Sequence, residues 1–294
     1  MVIKKAVIPA AGLGTRLLPA TKVQPKEMLP IVDQPVIQYV VEEAIASKIE
    51  DILVITGRGK RALEDHFDRS IELERYLESK KDLHNLEKIR EISENLSTFF
   101  IRQKEPKGLG HAILCSEKHM ANEPFAVMLG DDICISDPPA LAQLISQYKE
   151  NPGIVIGLDE VDSSEVDSYG IVKPSSIDGR IVDIEDLVEK PSLKEAPSNL
   201  AILGRYILTP EIFEALKITE PDQRGEIQLT NAIRLLIGKV PIYGYILDGQ
   251  RFDVGNKLSY LTTNIEMALM RDDLRESLSK YLIDLSAKLK YSKP

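Results

Sequence analysis

The sequence contains few of the residues on which secreted, zinc-binding or membrane proteins depend. Only two of the 294 residues are cysteines, Cys115 and Cys134, and neither has a partner at metal-ligand spacing. This excludes a disulfide framework and a zinc motif, and it favours a reducing compartment. No apolar run approaches the roughly 18 residues of a membrane-spanning helix, and the N-terminus lacks the pattern of a signal peptide. We therefore expect a soluble cytoplasmic protein with no membrane partner.

Positive charge is also scarce. Lys and Arg total 37 against 46 Asp and Glu, a formal net charge of -9, so the summed field of the protein repels nucleic acid and anionic membranes. A small anionic substrate can still bind where a few cations share one cleft, because distant charge is screened over about 10 Å. The four histidines, at positions 66, 84, 111 and 119, form no arrangement of nucleophile and base, and we interpret them as structural.

Short apolar runs alternate with segments of helical spacing in the first half of the chain. The predicted strands are KAVIPA, DILVITG, TFFIRQ, FAVMLGDD and GIVIGL, and the clearest predicted helices are PVIQYVVEEAIASK and PALAQLISQY. This alternation predicts a doubly wound, Rossmann-like α/β fold whose parallel strands are covered on both faces.

One domain, residues 1–294, is expected to contain three parts. The core spans about 1–160, and a charged stretch with apolar residues at three- and four-residue steps predicts an inserted amphipathic helical arm over 59–95. From about 161 to 201, short pieces between turn residues predict a strand-rich part laid over one end of the sheet, within a second part that runs to about 256. Residues from about 257 to 294 have a helical pattern.

The loop after the first predicted strand, in AAGLGTRLLPATKVQPKEMLP, combines small and basic residues. Open α/β sheets bind ligands at the carboxyl ends of their strands. Gly12 and Gly14 allow backbone amides to approach an anion, but Leu17 replaces the third glycine of a dinucleotide fingerprint, and a Walker Gly-Lys-Ser/Thr is absent. The planar fork of Arg16 and the point charge of Lys26 suit a polyphosphate. We interpret this as a phosphate-binding loop; solvated surface cations are the alternative.

Acidic residues end another predicted strand. Asp131 and Asp132 stand together in MLGDDICI, and Asp253 lies far along the chain in RFDVGN. Magnesium prefers one or two protein carboxylates completed by substrate phosphates and waters. Acidic residues at strand ends also form ordinary turns, so these residues alone leave a metal site and a turn as alternatives.

Together these segments resemble the signature of the sugar-nucleotide pyrophosphorylases. The motif GxGTRxxPxTxxxPKxMLP is followed in order by RQKEPKGLGHAILCS, LGDD, YGIV, VEKP, AILGRY, GEIQLTNAI and FDVGNK. Within that family the chain resembles the bacterial-type UTP–glucose-1-phosphate uridylyltransferases. The resemblance implies a mixed, doubly wound sheet, a nucleotide-binding core at about 1–160, a small strand-rich sugar-binding part at about 161–256, and C-terminal helices.

The resemblance also implies roles for individual residues. Those expected to be catalytic are Arg16, Lys26 and Lys190; those expected to bind the nucleotide are Ala11, Gly12, Gly14, Thr15, Gln103 and Gly108; those expected to bind the sugar are Gly170, Glu189 and Lys190; those expected to bind Mg2+ are Asp131 and Asp253. Asp132 is expected to order its loop instead. Because Pro191 favours an extended backbone before it, the side chains of Glu189 and Lys190 are expected to point apart.

The implied reaction joins UTP and glucose 1-phosphate into UDP-glucose and pyrophosphate. The sugar phosphate attacks the α-phosphorus of UTP, and its attacking oxygen is already anionic near neutral pH, so no general base is required. Use of dTTP and the choice of sugar stay open, because a methyl group discriminates by only about 1 to 3 kcal/mol. The resemblance further implies Mg2+ as cofactor and a homodimer or homotetramer.

Two other classes of protein remain as alternatives. A glycosyltransferase that consumes a nucleotide sugar can use a carboxylate-bound metal, but it gives no reason for the Gly-Thr-Arg loop and Lys26. A regulatory subunit without chemistry should have lost some of the charged residues in the signature. All five are present: Arg16, Lys26, Asp131, Lys190 and Asp253.

Overall fold

The apolar segment KAVIPA forms a central strand, Lys5–Ala10, in the computed structural model of this chain, which describes residues 2–94 and 97–291. Val7 packs into the core on one face of the sheet, whereas Ala6 and Ile8 pack into the core on the other. Successive side chains of a strand point to opposite faces. An apolar run without alternation is therefore buried on both faces, as the sequence predicts.

The described residues form strands β1 to β13 and helices α1 to α11. The strands are β1 (Lys5–Ala10), β2 (Pro30–Ile31), β3 (Gln34–Pro35), β4 (Asp51–Thr56), β5 (Ser97–Arg102), β6 (Phe125–Met128), β7 (Asp132–Ile135), β8 (Ile154–Glu160), β9 (Gly170–Asp178), β10 (Ile181–Glu189), β11 (Leu200–Leu208), β12 (Ile242–Ile246) and β13 (Gln250–Asp253). The helices are α1 (Val36–Ala46), α2 (Arg61–Phe67), α3 (Ile71–Lys80), α4 (Leu83–Glu94), α5 (Gly108–Leu114), α6 (Glu117–Met120), α7 (Ala140–Glu150), α8 (Glu211–Ile218), α9 (Leu229–Arg234), α10 (Lys257–Met270) and α11 (Asp272–Tyr291).

Nine strands form one mixed sheet in the order β5-β4-β1-β6-β11-β8-β12-β10-β9. The four strands β5, β4, β1 and β6 are parallel. β11 runs antiparallel to its neighbours β6 and β8, and β8 is parallel to β12. Helices cover both faces, with α5, α8 and α9 on one and α1, α2 and α7 on the other. The predicted Rossmann-like, doubly wound mixed fold is confirmed.

The strand-rich part differs from expectation in its placement. β9 and β10 extend the sheet beyond β12, β9 also pairs with β11 through Ile171 and Ala201, and β11 lies in the middle of the sheet. The physical reason is backbone pairing, because β10 pairs with β9 over its whole length and with β12 at Ile181 to Asp183, which satisfies polar groups that a free strand edge would expose.

The predicted helical arm is three helices, α2, α3 and α4; Asn95, its last predicted residue, lies outside the described residues. Leu63 and Phe67 are buried against the core. The charge of the arm is not all solvated, because Glu74 is buried and accepts hydrogen bonds from Arg69 at 2.6 Å and Arg90 at 3.0 Å.

The C-terminal residues form α10 and α11, as the pattern predicts, and residues 292–294 lie outside the described part of the chain. Among the described helices, none is both long and apolar enough to span a membrane.

Candidate active site

Four loops meet at one edge of the sheet because the parallel strands β1, β4, β5 and β6 all end there. β1 leads into the loop that begins at Ala11, β4 into Gly57–Lys60, and β5 into Gln103. β6 ends just before the carboxylates that begin at Asp131. The predicted phosphate-binding loop, the predicted base contact Gln103 and the predicted metal ligand Asp131, which are far apart in sequence, therefore share one edge.

The loop after β1 is folded into three short 3-10 turns, Thr15–Leu17, Ala20–Lys22 and Lys26–Met28. Gly14 has φ +65°, and a Cβ there would lie 3.2 Å from the side chain of Thr21, so a larger residue would be strained. The Thr21 hydroxyl donates to the Gly14 carbonyl at 2.7 Å. The glycine therefore has a conformational role in bringing the loop back toward Lys26.

A cavity of about 650 Å³ opens beside this loop. Ala11, Gly12, Lys26 and Gln103 line it, whereas the other predicted nucleotide residues, Gly14, Thr15 and Gly108, and the predicted catalytic Arg16, are not among its lining residues. Its charged lining residues are all basic: Lys22, Lys26, Arg58, Lys60 and Lys104. Lys26 and Lys60 are paired with carboxylates outside the described lining, Asp131 and Glu27, whereas Lys22, Arg58 and Lys104 add positive charge that favours an anion in the cavity.

A larger cavity, of about 830 Å³, lies between α1, α2 and α4. None of the predicted site residues is among the described residues that line it, and its charges are of both signs, with Asp33, Glu42 and Glu91 opposing Lys88 and Arg271. Although this cavity is larger, its mixed charge makes it a poorer candidate for binding a triphosphate than the basic cavity.

Lys26 joins the anion-binding cavity to the carboxylates. Its ammonium forms an ion pair with the carboxylate of Asp131. Burial alone would lower the pKa of Lys26, but the negative charges of Asp131 and Glu27 outweigh it and raise the pKa above its usual value. The pKa of Asp131 is held low in return: burial opposes this, and the charge of Lys26 prevails. Both groups are therefore charged at neutral pH.

Glu27, next to Lys26, points into the interior and binds Lys60. The Lys60 ammonium donates to the Glu27 carboxylate at 2.8 and 3.1 Å, and both residues are buried. Burial raises the pKa of Glu27 and lowers that of Lys60, and each partner opposes the shift of the other. This pair ties the loop after β1 to the loop after β4.

Asp131 and Asp253 are brought together by the short ladder of β7 and β13. Asp253 lies opposite Asp132 in that ladder, and the backbone N–H of Val254 donates to the carbonyl of Asp131 at 3.3 Å. Burial raises the pKa of Asp253, and the charges of Asp132 and Asp131 add to this although Arg251 opposes it. A cation near Asp253 would therefore be favoured.

Asp132 is committed to structural contacts. Its carboxylate accepts from Arg251 Nε at 2.8 Å and from the backbone N–H of Gly204 at 3.0 Å. The buried guanidinium of Arg205 donates to the Asp132 carbonyl at 2.8 Å and to Glu43 at 2.6 Å. These bonds fix the loop that carries Asp131, in agreement with the expectation that Asp132 orders it.

The carboxylates of Asp131 and Asp253 suit a divalent cation whose remaining ligands come from the substrate. Within residues 2–94 and 97–291, no cluster of three or more His, Cys, Asp or Glu side chains could hold a metal by itself. Asp131 and Asp253 supply two neighbouring carboxylates, which is the number that magnesium uses beside substrate phosphates and waters. The pKa of Asp253 is raised, and a divalent cation would lower it by stabilising the charged carboxylate.

The predicted sugar-binding residues Gly170 and Glu189 lie together. The hydroxyl of Thr230 donates to Glu189 Oε2 at 2.7 Å. A Cβ at Gly170 would lie 3.1 Å from the Thr230 hydroxyl oxygen and 3.3 Å from Glu189 Oε2. Glycine at position 170 therefore leaves the space that the pair of Thr230 and Glu189 needs.

The expectation that Glu189 and Lys190 point apart is wrong. Lys190 has φ +46°, in the left-handed region, and its ammonium lies 3.2 Å from Glu189 Oε1. The backbone N–H of Lys190 donates to the carbonyl of Tyr169 at 3.0 Å. This hydrogen bond and the ion pair outweigh the extended preference before Pro191. Both side chains line a further cavity, of about 360 Å³.

Loop contacts connect the basic cavity with the cavity lined by Glu189 and Lys190. The Ile227 backbone N–H donates to the Lys107 carbonyl at 2.8 Å, and the Gly110 N–H donates to the Ile227 carbonyl at 2.8 Å. Gly108 has φ +89°, and a Cβ there would lie 2.8 Å from Glu226. The segment that contains Gln103 and Gly108 is thus held against the segment from Asp222 to Gln228. Residues of this second segment line the cavity beside Glu189 and Lys190.

Sequence reasoning missed five residues that organise this site: Glu27, Lys60, Arg205, Thr230 and Arg251. Glu27 and Arg251 stand within two residues of a predicted site residue, and Arg205 and Thr230 lie in the signature segments AILGRY and GEIQLTNAI, so membership of a motif is the local signal for these four. The partners of all five are distant in sequence, so their contacts depend on the fold.

A basic cavity beside acidic residues is an arrangement that suits the binding of a phosphate-bearing ligand and a cation. The sequence matches the nucleotidyl transferase family over residues 5–268, and the chain belongs to this family. The curated UTP–glucose-1-phosphate uridylyltransferase YngB of Bacillus subtilis strain 168 is 52% identical over 283 residues, which are 96% of this chain and 95% of the relative.

Solved structures that are similar to this chain come from enzymes of the same family. A UDP-glucose pyrophosphorylase in complex with UDP-glucose has a TM-score of 0.85 at 45% identity, covering 92% of this chain and 100% of that chain. A UTP-bound enzyme of the same kind from Acinetobacter baumannii has a TM-score of 0.90 at 39% identity, covering 97% of this chain and 100% of that chain.

Proposed function

We propose that this chain is an enzyme that makes UDP-glucose and pyrophosphate from UTP and glucose 1-phosphate. The observation that carries the proposal is the basic cavity whose Lys26 is paired with Asp131, together with the electrostatic interaction between Asp131 and Asp253. The names and bound nucleotides of relatives that cover nearly the whole chain support the choice of substrates.

The reaction needs alignment and charge stabilisation rather than a base. The attacking phosphate oxygen is already anionic, and the two substrates repel each other, so the protein has to hold them in line and stabilise the charge on the leaving group. Lys190 holds the attacking phosphate. Lys26 stabilises charge on the phosphates of UTP, and Arg16, which is exposed on the loop, closes on the departing pyrophosphate.

The base of UTP lies at the end of the basic cavity that is lined by Ala11, Gly12 and Gln103, and the triphosphate extends toward the cations of the same cavity. Gly108 contacts Gln103 beside the base. Gly14 and Thr15 supply backbone near the triphosphate. The glucose unit lies beside Gly170 and Glu189, where the carboxylate accepts hydrogen bonds from sugar hydroxyls and Thr230 orients it. This division assigns about 1–160 to the nucleotide, about 161–256 to the sugar and about 257–294 to C-terminal helices.

The enzyme belongs to a class that uses a divalent metal, and we propose Mg2+ as that metal, held by Asp131 and Asp253. When bound, Mg2+ screens the negative charge on the phosphates of both substrates. Because Lys26 contacts Asp131, its positive charge would act on the phosphates from beside the residues that would hold the metal. We further place the enzyme in the cytoplasm, as a homodimer or homotetramer.

The test is a pyrophosphate-release screen of four nucleoside triphosphates against a panel of sugar 1-phosphates. We expect UTP with glucose 1-phosphate to give the highest kcat/KM and UDP-glucose as product, with some use of dTTP. A glycosyltransferase would release no pyrophosphate, and a regulatory subunit would turn over neither substrate. Either outcome would contradict the proposal.

A further inference from the structure

His111 has no part in the function described so far, yet it contacts the residue expected to meet the base. It lies in the first turn of α5, and its Nδ1 is 2.8 Å from Nε2 of Gln103. The Gln103 side chain is buried, with a relative exposure of 6%, and it lines the nucleotide cavity. A contact between a buried amide and a ring nitrogen fixes which way that amide faces.

The orientation of the Gln103 amide follows from chemistry. The same amide group lies 3.1 Å from the carbonyl oxygen of Gly108, which can only accept a hydrogen bond. The amide nitrogen therefore faces Gly108, and its two hydrogens are directed to the Gly108 carbonyl and to His111 Nδ1. No residue in 2–94 or 97–291 donates to the remaining amide oxygen, so Gln103 presents an acceptor to the ligand.

This arrangement requires one tautomer of His111. Because Nδ1 receives a hydrogen bond, its ring proton is on Nε2 and the imidazole is neutral. The surroundings agree: burial lowers the pKa of His111, the positive charge of Lys107 lowers it further, and Glu105 opposes with a smaller effect. A protonated His111 would direct an N–H at the Gln103 amide and break the contact.

We propose that His111 is a positioning residue for base selection, which holds the amide nitrogen of Gln103 so that only its oxygen faces the base. An acceptor at that point pairs with the N3–H of uracil or thymine and opposes the unprotonated N3 of cytosine. Sites built to hydrogen-bond a substrate reject an analogue that leaves their polar group unpaired. This inference rests on the proposed function, because it takes the nucleotide to lie against Gln103.

The experiment compares UTP and CTP, with glucose 1-phosphate as co-substrate, in the wild type, His111→Phe and His111→Asn. The Phe variant keeps a ring but removes the acceptor, and the Asn variant keeps an acceptor near the position of Nδ1. We expect the ratio of kcat/KM for UTP over CTP to fall about tenfold in His111→Phe, mainly through KM for UTP, as expected for loss of one hydrogen bond. His111→Asn should retain most of the ratio.

Equal losses for both nucleotides, or an unchanged ratio in His111→Phe, would overturn the inference. If that variant does not fold, 15N NMR of histidine in the wild type decides: a neutral ring protonated at Nε2 supports the inference, and a ring protonated at Nδ1 contradicts it. Lack of wild-type turnover with UTP would instead be a failure of the proposed function, which the same assay reports separately.

Discussion

The ammonium of Lys26 and the carboxylate of Asp131 form an ion pair between two loops that lie 105 residues apart in sequence. The pair joins the basic cavity to the carboxylates, so a nucleotide in the cavity and a cation at the carboxylates would meet at Lys26.

Replacement of Lys26 by Met should lower kcat by roughly 10²-fold or more, because catalysis loses a preorganised charge near the phosphates. Arg16→Ala should have an effect of similar size. Steady-state pyrophosphate release measures both, and circular dichroism checks that the fold is kept. Lys149→Met, at an exposed lysine in α7 that does not line the cavity, is the control. Near-normal turnover in both site variants would remove these residues from the mechanism.

Removal of divalent cations should abolish activity, and Mg2+ should restore it. In Asp131→Asn and Asp253→Asn, the Mg2+ concentration for half-maximal activity should rise at least about tenfold, because one of two carboxylate ligands is lost. Asp132→Asn should raise that concentration less than either of these changes and should reduce thermal stability, since Asp132 binds Arg251 and Gly204 and acts on the metal site only through the loop of Asp131. Activity that persists after exhaustive chelation would contradict the metal site.

The buried pair of Glu27 and Lys60 predicts non-additive stabilities. Either Glu27→Met or Lys60→Met alone should destabilise the protein by about 3–5 kcal/mol, because it leaves a buried charge without a partner. The double variant should be less destabilised than the sum of the single variants. Chemical denaturation of the four proteins measures this coupling, and strictly additive free energies would show that the two charges do not interact.

On the sugar side, Glu189→Gln should raise KM for glucose 1-phosphate roughly tenfold, because hydrogen bonds to a charged group are worth about 1.5–3 kcal/mol. KM for UTP should change little. Thr230→Val should have a smaller effect in the same direction, because its hydroxyl orients Glu189. Glu185→Gln, at an exposed carboxylate of the same strand, is the matched control. A larger effect on UTP than on the sugar phosphate would move Glu189 to another subsite.

Periodicity predicted the fold because strands such as β1 and β4 each contain an uninterrupted apolar run and alternate with amphipathic helices, a pattern that requires burial on both faces. It could not predict the direction of β11. Leu200–Leu208 is buried throughout, so its sequence is equally compatible with a parallel and an antiparallel strand.

The candidate site was predictable where motif residues follow strand ends, as Lys26 and Asp131 do. It was not predictable where a distant partner decides the conformation. Local preference favoured an extended Lys190, but contacts with Glu189 and Tyr169 place its backbone in the left-handed region. The partners of Glu27 and His111 depend in the same way on how loops pack, which no short window of sequence records.

The measurement that tests the central claim most directly follows oxygen atoms through the reaction. Glucose 1-phosphate labelled with 18O at the non-bridging oxygens of its phosphate is incubated with unlabelled UTP and the enzyme, and the products are analysed by mass spectrometry. If the sugar phosphate attacks the α-phosphorus of UTP, all label is retained in UDP-glucose and pyrophosphate carries none. Label in pyrophosphate, or UDP-glucose without label, would contradict the account.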